Sequence, residues 1–256
     1  MSNKKTAGYY NQKVIGKFAA ALAENKEKVL AIKAAYDTMI EKDPAAAVVF
    51  WNTPLVNFSA SNSKMGAVAS ASMLPFLTCP GRCGKTCGRY CYAAKLANLR
   101  PAVLNAYAWN TALAILWPEK FFADIDQYVK AVRFFRFHVA GDFRNASYFA
   151  ACLDIVKNNP HCRFLAFTKQ YEIVNAYCDN NGGADAIPEN FSILFSGEKE
   201  LKPVNPYNFP ETTIYEKDET PAEEWLLCGG NCFNCGCRGV GCWQAKHGET
   251  IAFKKH

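Results

Sequence analysis

The sequence has no long apolar run, and this absence limits the class of protein. No stretch approaches the roughly 18 uncharged apolar residues that indicate a membrane-spanning helix. The first five residues, Met-Ser-Asn-Lys-Lys, lead into polar sequence and not into the apolar segment of a signal peptide. We therefore expect a soluble, cytoplasmic protein with no membrane partner.

An excess of one charge is also missing. The 29 Lys and Arg residues against 23 Asp and Glu residues leave a formal net charge of +6. This balance permits a nucleic-acid partner, but it lacks the concentrated basic stripe that would indicate one. With 50% hydrophobic residues, the 256-residue chain can bury a full core, which excludes a disordered or fibrous protein.

Cysteine, by contrast, is abundant. The 12 cysteines are many for a chain large enough to fold without covalent cross-links, and nine of them fall into two short clusters. In a reducing compartment, clustered thiols are more typical of metal ligands than of disulfides. The other three, Cys152, Cys162 and Cys178, lie in apolar helix or strand patterns, so we predict that they are buried and inert.

The first cluster contains Cys79, Cys83, Cys87 and Cys91, each separated from the next by three residues. Pro80 and the intervening glycines favour a loop that wraps its thiolates around one centre, rather than a helix with a thiol stripe. A single uninterrupted run of ligands is typical of a 4Fe-4S iron–sulfur cluster, whereas zinc sites normally combine two separate cysteine knuckles. The first interpretation is therefore an iron–sulfur cluster, with zinc or purely structural thiols as alternatives.

The second cluster brings five thiols into fifteen residues, namely Cys228, Cys232, Cys235, Cys237 and Cys242. One tetrahedral ion or one cluster requires only four thiolates. Cys235 and Cys237 are separated by a single residue, which makes one of them the candidate for a spare thiol. The two clusters predict either two metal centres or one shared centre. Because this segment has few apolar side chains, we expect bound metal to stabilise its shape.

The N-terminal part of the chain is predicted to be mainly helical. Apolar residues recur at helical spacing from Val14 to about Ile40, which predicts one long helix or two, ended by Pro44. The segment Ala47–Trp51 is predicted to form a short strand, and the small and polar residues 57–72 are predicted to form a loop.

From residue 93 onward, helices are followed by an alternation of strands and helices. Apolar strands separated by single amphipathic helices predict parallel pairing with right-handed crossovers. Helices are predicted at residues 93–116, interrupted at Pro101, and at 118–132, 146–157 and 171–179, and strands at 133–140, 163–168 and 191–196.

This alternation predicts an α/β fold, either a partial (βα) barrel or a parallel sheet. The predicted organisation has an N-terminal helical extension over residues 1–45 and an α/β core with the first cysteine cluster over residues 46–227. A Cys-rich, metal-binding tail over residues 228–256 is expected to pack on the core.

Polar residues follow the carboxyl ends of three successive predicted strands. In parallel α/β folds this edge of the sheet is where ligands bind. A glycine after a strand lets a ligand approach the backbone, and a neighbouring carboxylate can accept hydrogen bonds from an ammonium group. The alternative is an ordinary turn in which the aspartate caps the next helix. The candidate cofactor-binding residues are Gly141, Asp142, Thr168, Lys169 and Ser196.

Several segments together carry a resemblance to a known family: Asn62-Ser63-Lys64 with Gly66, Thr78-Cys79-Pro80-Gly81, Cys91-Tyr92-Ala93, Phe137-His138 with Gly141-Asp142, Thr168-Lys169, Cys242-Trp243 and Lys254-Lys255-His256. They resemble the phage and mobile-element family called gene product 88. The resemblance covers most of the chain from residue 57 onward and leaves the N-terminal helix outside. Cys79, Cys87 and Cys91 match the family pattern more closely than Cys83 does. The resemblance implies a genomic setting rather than a reaction.

A weaker similarity is to radical S-adenosylmethionine enzymes. These carry three cysteines on a loop after the first barrel strand, with an aromatic residue before the last, and a glycine–acid turn after the second strand that holds the amino group of the cofactor. Here Tyr90 precedes Cys91, and Gly141-Asp142 stands where that turn is expected. Three features depart from the pattern. The loop follows the predicted strand at Ala47–Trp51 by nearly thirty residues, the spacing is not Cys-x3-Cys-x2-Cys, and aspartate replaces glutamate.

These observations lead to three functional hypotheses. In the first, the protein is an iron–sulfur enzyme, in which Cys79, Cys87 and Cys91 hold a 4Fe-4S cluster open to S-adenosylmethionine and the tail cysteines hold an auxiliary centre. The residues specify no substrate. In the second, it is a non-enzymatic module, stabilised by zinc or iron–sulfur, that binds nucleic acid or another partner. In the third, it is an electron-transfer protein. The candidate nucleic-acid contacts, which could equally form a solvated rim, are Arg89, Tyr90, Tyr92, Lys95, Arg238, Trp243 and Lys246.

Overall fold

The computed structural model describes residues 10–81, 87–197, 202–216 and 218–254. Cys83, one of the predicted metal ligands, lies outside these ranges. The helices are Gln12–Lys42 (α1), Pro44–Trp51 (α2), Tyr92–Leu99 (α3), Pro101–Leu116 (α4), Pro118–Val129 (α5), Ala146–Asn158 (α6), Tyr171–Asn181 (α7) and Cys232–Arg238 (α8). The strands are Phe58–Ser59 (β1), Ala69–Ala71 (β2), Phe134–Phe137 (β3), Arg163–Thr168 (β4), Phe191–Ser196 (β5), Glu211–Tyr215 (β6), Leu226–Leu227 (β7) and Thr250–Lys254 (β8).

The predicted N-terminal helix is confirmed as one continuous helix, but the strand predicted at Ala47–Trp51 is wrong, because this segment lies in α2. Asp43 caps α2 by accepting a hydrogen bond from the backbone N–H of Ala46 at 3.1 Å, and Pro44 occupies the first helical turn. The β-branched Val48 and Val49 are exposed and have no neighbouring strand to pack against. The capping residues therefore outweigh strand propensity here.

All eight strands form one sheet in the order β1-β2-β3-β4-β5-β6-β8-β7. The β1–β2 pair is antiparallel, and the other pairs are parallel. Strands β2, β3, β4, β5, β6 and β8 follow one another across the sheet in chain order. The α/β class and the parallel pairing are thus confirmed.

The first parallel strand lies within the segment that was predicted to be a loop. Strand β2 has the sequence Ala-Ser-Ala and is fully buried. Ala69 and Ala71 are in register with Phe135 and Phe137 of β3, so the small side chains lie beside large aromatic ones. Small residues are typical of loops, but here they permit a strand. Cys79 lies in the loop that follows β2, eight residues after Ala71.

The two faces of the sheet pack against different partners. On the helix face, the side chains of Phe135, Phe137 and Phe164 form the main core with helices α5, α6 and α7. Cys152, Cys162 and Cys178 are buried in this layer, as predicted. On the opposite side, which we call the tail face, the apolar side chains include Phe134, Leu165 and Leu194.

The C-terminal tail covers the tail face. Trp243 is 1% exposed, and its ring centroid lies 5.1 Å from that of Phe134. A Cβ atom at Gly236 would lie 2.7 Å from the Phe134 ring, so glycine is needed for α8 to approach the sheet this closely. Strand β8 lies in the sheet between β6 and β7. The tail therefore has more apolar anchorage than its sequence indicated.

A smaller core joins α1, α3 and α4, and includes Phe18, Leu74, Ala94 and Leu104. It lies next to the loop that carries the first cysteine cluster, because Leu74 precedes that loop and Ala94 follows it. Within the described ranges, no helix is long and apolar enough to cross a membrane.

Candidate site at the carboxyl ends of the strands

The first cysteine loop is tied to the turn that follows β3. The Thr78 hydroxyl donates to the carbonyl oxygen of Leu74 at 2.8 Å and accepts a hydrogen bond from the backbone N–H of Asp142 at 3.3 Å. Thr78 immediately precedes Cys79, so these contacts position the start of the cysteine loop against the predicted cofactor turn.

Gly141 permits this contact through both its conformation and its lack of a side chain. Its φ angle is +85°, in the region that favours glycine. A Cβ atom at this position would lie 2.6 Å from the Thr78 Oγ1 and 3.1 Å from the Met73 Cβ. The glycine thus allows the cysteine loop to approach the turn.

The Asp142 carboxylate lies at the centre of a hydrogen-bond network. It accepts from the Thr168 hydroxyl at 2.6 Å, from the backbone N–H of Lys169 at 2.8 Å and from the backbone N–H of Phe143 at 2.8 Å. Burial raises the pKa of Asp142 to about 6, against the opposing effect of these hydrogen bonds. Asp142 does not cap the next helix, because Asn145 caps α6 by accepting from the Tyr148 N–H at 2.8 Å.

The network extends to the next strand. The Lys169 Nζ donates to the carbonyl oxygen of Ser196 at 2.7 Å and contacts its Oγ at 3.0 Å. The five predicted cofactor-binding residues therefore lie together at the carboxyl ends of β3, β4 and β5. Their role in binding a cofactor stays a prediction.

Cys79, Cys87 and Cys91, which we call the loop thiols, are neighbours. Burial raises the pKa of Cys79, and the charges of Asp142 and of the other two thiols raise it further. Cys91 is the N-cap of α3, where its Sγ accepts a hydrogen bond from the Ala94 N–H at 3.4 Å. Backbone N–H groups at a helix N-terminus stabilise a thiolate, which suits a metal ligand.

Four thiols of the second cluster are also neighbours, and we call them the tail thiols: Cys228, Cys232, Cys235 and Cys242. Burial raises the pKa of Cys232, Cys235 and Cys242, and the charges of neighbouring tail thiols raise it further. Cys237 is exposed and lies two positions after Cys235 on α8, so the two side chains project in different directions. Of the two candidates for the spare thiol, the geometry favours Cys237.

The thiols are close together without the spacing of a metal site. Among the described residues, no group of three or more His, Cys, Asp or Glu side chains has the geometry to hold a metal ion. The donor chemistry nevertheless fits a soft metal, because thiolates are the ligands of zinc and of iron–sulfur clusters. Metal binding by the nine clustered cysteines thus stays a prediction.

Tyr92 lies between the two groups of thiols. Its hydroxyl donates to the carbonyl oxygen of Val139 and is buried, which raises its pKa, although much of the ring is exposed. The charges of Cys79, Cys91 and Cys232 also act on this hydroxyl. The Tyr92 hydroxyl therefore lies near two of the loop thiols and near one of the tail thiols, Cys232.

Arg136 is a site residue that the sequence analysis did not identify. It lies on β3 in register with Ser70, with its guanidinium 4.3 Å from the centroid of the Phe167 ring. Its Nη1 contacts the Met65 Sδ at 3.8 Å, and the Met65 carbonyl oxygen accepts from the backbone N–H of Phe233, the residue after Cys232, at 2.8 Å. Burial raises the pKa of the Cys232 thiol, and the positive charge of Arg136 acts against this larger effect. A charged residue inside an otherwise apolar strand was the signal that could have identified it.

The candidate nucleic-acid contacts divide into two classes. Trp243 is buried in the tail core, so its prediction as an exposed stacking residue is wrong. Its apolar neighbours come from strands distant in sequence, which local composition does not show. The exposed members of the set are Arg89, Tyr90, Tyr92, Lys95, Arg238 and Lys246.

Comparison with known proteins identifies relatives of this chain. The family described as Gene product 88 matches residues 25–249. The Gene 88 protein of Mycobacterium phage L5 is 34% identical over 95 residues, and the alignment covers 32% of this chain and 39% of that protein. No solved structure matches the chain. The family match begins within α1, so the expectation that the N-terminal helix lies outside the resemblance is wrong for residues 25–42 and holds for residues 12–24.

Proposed function

The chain belongs to the gene product 88 family, and from the geometry of its cysteine loop we propose that it is an iron–sulfur protein of the radical S-adenosylmethionine type. One observation carries this proposal. The loop follows β2, the first parallel strand in the chain, and the Gly141-Asp142 turn after the second, β3, contacts that loop through Thr78.

The order of the strands supports a partial barrel. Six parallel strands follow one another in chain order, and α5, α6 and α7 pack on one face of the sheet. Helical crossovers on one face, here between β2 and β5, are the arrangement of (βα) barrels, whose active sites lie at the carboxyl ends of the strands. The position of β2 also removes one departure from the radical S-adenosylmethionine pattern, because the loop now follows its strand directly.

In this proposal the loop thiols Cys79, Cys87 and Cys91 would hold a 4Fe-4S cluster, and the fourth iron would have no protein ligand. Such a cluster supplies one-electron radical chemistry when S-adenosylmethionine is bound. The N–H groups at the start of α3 stabilise the Cys91 thiolate, and the Thr78 contacts hold Cys79 close to the turn.

Asp142 would position the cationic amino group of the cofactor. An ionised carboxylate has about four acceptor positions, and hydrogen bonds from Phe143, Thr168 and Lys169 occupy three of them. One position thus remains for an ammonium hydrogen without the loss of an existing bond. The contacts of Lys169 with Ser196 keep the neighbouring strand end in place.

An electron-transfer protein is the second candidate, because the Tyr92 hydroxyl lies between the two groups of thiols. Two metal centres at such a position could exchange electrons without a bound substrate. Binding of S-adenosylmethionine distinguishes the two functions, since only the radical enzyme requires it.

The test uses the full chain, purified and reconstituted with iron and sulfide without oxygen. We expect a brown protein in which Cys87→Ser removes the loop cluster and Cys237→Ser does not. If Cys83→Ala also removes it, the centre has four protein ligands, which contradicts an open iron. A colourless protein that holds zinc in the loop contradicts both candidates.

A further inference from the structure

We infer that Cys228, Cys232, Cys235 and Cys242 form a second, separate metal centre with four thiolate ligands, and that Arg136 is its charge partner. This centre would lie on the tail face and exclude Cys237. It does not depend on the radical chemistry proposed for the loop thiols, so each can fail without the other.

Helix α8 presents the first pair of ligands. Cys232 and Cys235 are three positions apart, so their side chains lie on one face of the helix. Cys228 precedes α8, and Cys242 lies in the short 3-10 helix Gly241–Trp243 that follows it. The two remaining ligands thus come from segments on either side of α8.

Glycines bring both of these segments close to one thiol. Cβ atoms at Gly229 and Gly241 would lie 3.6 Å and 3.7 Å from the Cys235 Sγ, respectively. The backbone N–H of Gly230 donates to the Cys228 Sγ at 3.4 Å. Hydrogen bonds to sulfur are among the features by which proteins tune thiolate-bound metals.

The sheet holds this ligand set in place. The Trp243 Nε1 donates to the carbonyl oxygen of Cys232 at 2.8 Å, which joins the fourth ligand's segment to α8. The Ser192 hydroxyl donates to the carbonyl oxygen of Trp243 at 3.1 Å, and the Arg163 guanidinium donates to the same oxygen. The tail is therefore anchored to β4 and β5 independently of any thiol.

Arg136 supplies positive charge where four thiolates would leave an excess of negative charge. A divalent ion with four thiolates has a net charge of −2, which is costly to bury without a nearby cation. Arg136 contacts the Met65 side chain at 3.8 Å, and the Met65 backbone is hydrogen-bonded to Phe233, the residue after Cys232. At this position its charge acts on the Cys232 and Cys242 thiols. None of the ion pairs in the described parts of the chain includes Arg136, and its buried Nε has no hydrogen-bond partner. The guanidinium is therefore available to a thiolate centre.

Cobalt(II) titration tests the ligand set on a variant in which the four loop cysteines, Cys79, Cys83, Cys87 and Cys91, are replaced by serine. We expect one equivalent of cobalt with thiolate-to-metal absorption. Cys232→Ser and Cys242→Ser should abolish tight binding, whereas the matched control Cys237→Ser should retain it. Equal loss in the Cys237→Ser control, or no cobalt bound by the parent variant, would overturn the inference.

Two further measurements keep the test decisive if the parent variant does not fold. In the otherwise unchanged chain, Cys232→Ser should remove one metal centre and leave the loop centre in place. Because the tail thiols do not have the spacing of a metal site, we also expect metal to tighten the tail. Chelation should then make protease cleave residues 228–242 faster while Trp243 stays anchored to β4 and β5, and an equal cleavage rate with and without metal would contradict the inference.

The role of Arg136 is tested by Arg136→Gln in the same titration. Loss of a charged hydrogen bond is expected to weaken cobalt binding about tenfold to a hundredfold and to move the pH midpoint of loading upward. Arg163→Gln is the matched control, since Arg163 anchors the tail backbone through Trp243. If both variants weaken binding equally and leave the pH midpoint unchanged, Arg136 is only an anchor of the tail.

Discussion

Thr168 donates its hydroxyl hydrogen to the carboxylate of Asp142 at 2.6 Å, and this bond joins the ends of two neighbouring strands, β3 and β4. The same carboxylate accepts from the backbone of Lys169, whose side chain reaches β5. One buried acid therefore links three strand ends, and Thr78 connects them to the cysteine loop. The position of the loop should consequently depend on residues that carry no thiol.

Gly141→Ala tests this dependence. The substitution forces a left-handed conformation on alanine and places its Cβ 2.6 Å from the Thr78 Oγ1, so we expect a loss of roughly 2–5 kcal/mol in unfolding free energy. The displaced loop should also bind iron more weakly.

Gly182→Ala is the control, because Gly182 has a φ of +90° but no atom within 4 Å of the added Cβ. Gly182→Ala should lower the free energy of unfolding by about 1–2 kcal/mol and leave iron binding unchanged. Equal iron loss in both variants would show that the contact with Thr78 is unimportant.

Asp142→Asn tests the charge at the turn. The variant keeps the shape but directs an amide group at the backbone N–H of Lys169 or at the Thr168 hydroxyl, so it should lose stability as well as affinity for S-adenosylmethionine. Loss of a charged hydrogen bond, typically about 1.5–3 kcal/mol, corresponds to binding weakened roughly tenfold to a hundredfold. Calorimetry on cluster-loaded protein measures the affinity for S-adenosylmethionine, and Asp154→Asn, at an exposed aspartate, is the control. Unchanged affinity in Asp142→Asn would remove the carboxylate from the cofactor site.

Lys120 and Asp124 form an ion pair that is buried on both sides, with 0% and 1% side-chain exposure. Lys120 also donates to the carbonyl oxygens of Trp51 at 2.8 Å and Thr53 at 2.9 Å. Lys120→Met would leave the buried carboxylate unpaired and should lower the unfolding free energy by about 3–5 kcal/mol.

The control pair lies at the C-terminal end of the same helix. Lys130 pairs with Asp126 at 3.4 Å, but its side chain is 64% exposed. Lys130→Met should therefore cost less than about 1 kcal/mol in chemical denaturation. A similar cost for both variants would contradict the importance of burial for this pair.

His138 gives the stability a defined pH dependence. It is buried, and burial together with the charge of Arg136 lowers its pKa from the ordinary value of 6.5 to about 3. Between these two values the unfolded chain binds the extra proton, so the His138 contribution to stability is lost as the pH falls from 6.5 towards 3, at up to about 1.4 kcal/mol per pH unit.

Asp142 acts in the opposite direction. Burial raises its pKa from 3.8 to about 6, so between these pH values the folded chain holds a proton that the unfolded chain does not. The contribution of Asp142 to the free energy of unfolding therefore increases as the pH falls through that range. The two effects partly cancel in the natural sequence. In His138→Asn, which suits the positive φ of +56°, only the Asp142 effect remains. The stability of wild type relative to this variant should fall between pH 6 and pH 4, and a constant difference would show that His138 does not titrate in this way.

Much of the fold could be predicted where local pattern and tertiary environment agree. Strands β4 and β5 were predicted to the residue, because both are apolar, buried and followed by polar turns. Strand β2 was missed because its small side chains are explained only by Phe135 and Phe137 next to them. Strand β6 was missed because its sequence, Glu-Thr-Thr-Ile-Tyr, gives no clear strand pattern. Strand β8 was missed because its apolar centre is only three residues long, although parallel pairing joins both strands to the sheet.

The residues of the candidate site likewise include some that local sequence predicts and some that only the tertiary structure identifies. Cysteine spacing and strand-end residues are local features, so the loop and the Gly141-Asp142 turn could be found in the sequence. Arg136 becomes a site residue only because the tail, nearly a hundred residues further along the chain, folds onto the same face of the sheet. No local pattern contains that contact. Likewise, helix geometry distinguishes Cys237 from Cys235, whereas their spacing alone does not.

Binding of S-adenosylmethionine to the reduced, reconstituted full chain, measured by calorimetry together with iron and sulfide content, tests the central claim most directly. The proposed function predicts a four-iron cluster that depends on Cys79, Cys87 and Cys91, and measurable cofactor binding that Cys87→Ser abolishes. Both should persist in Cys232→Ser, because the tail centre is separate. A chain that holds the loop cluster but binds no S-adenosylmethionine would contradict the enzyme and leave an electron carrier.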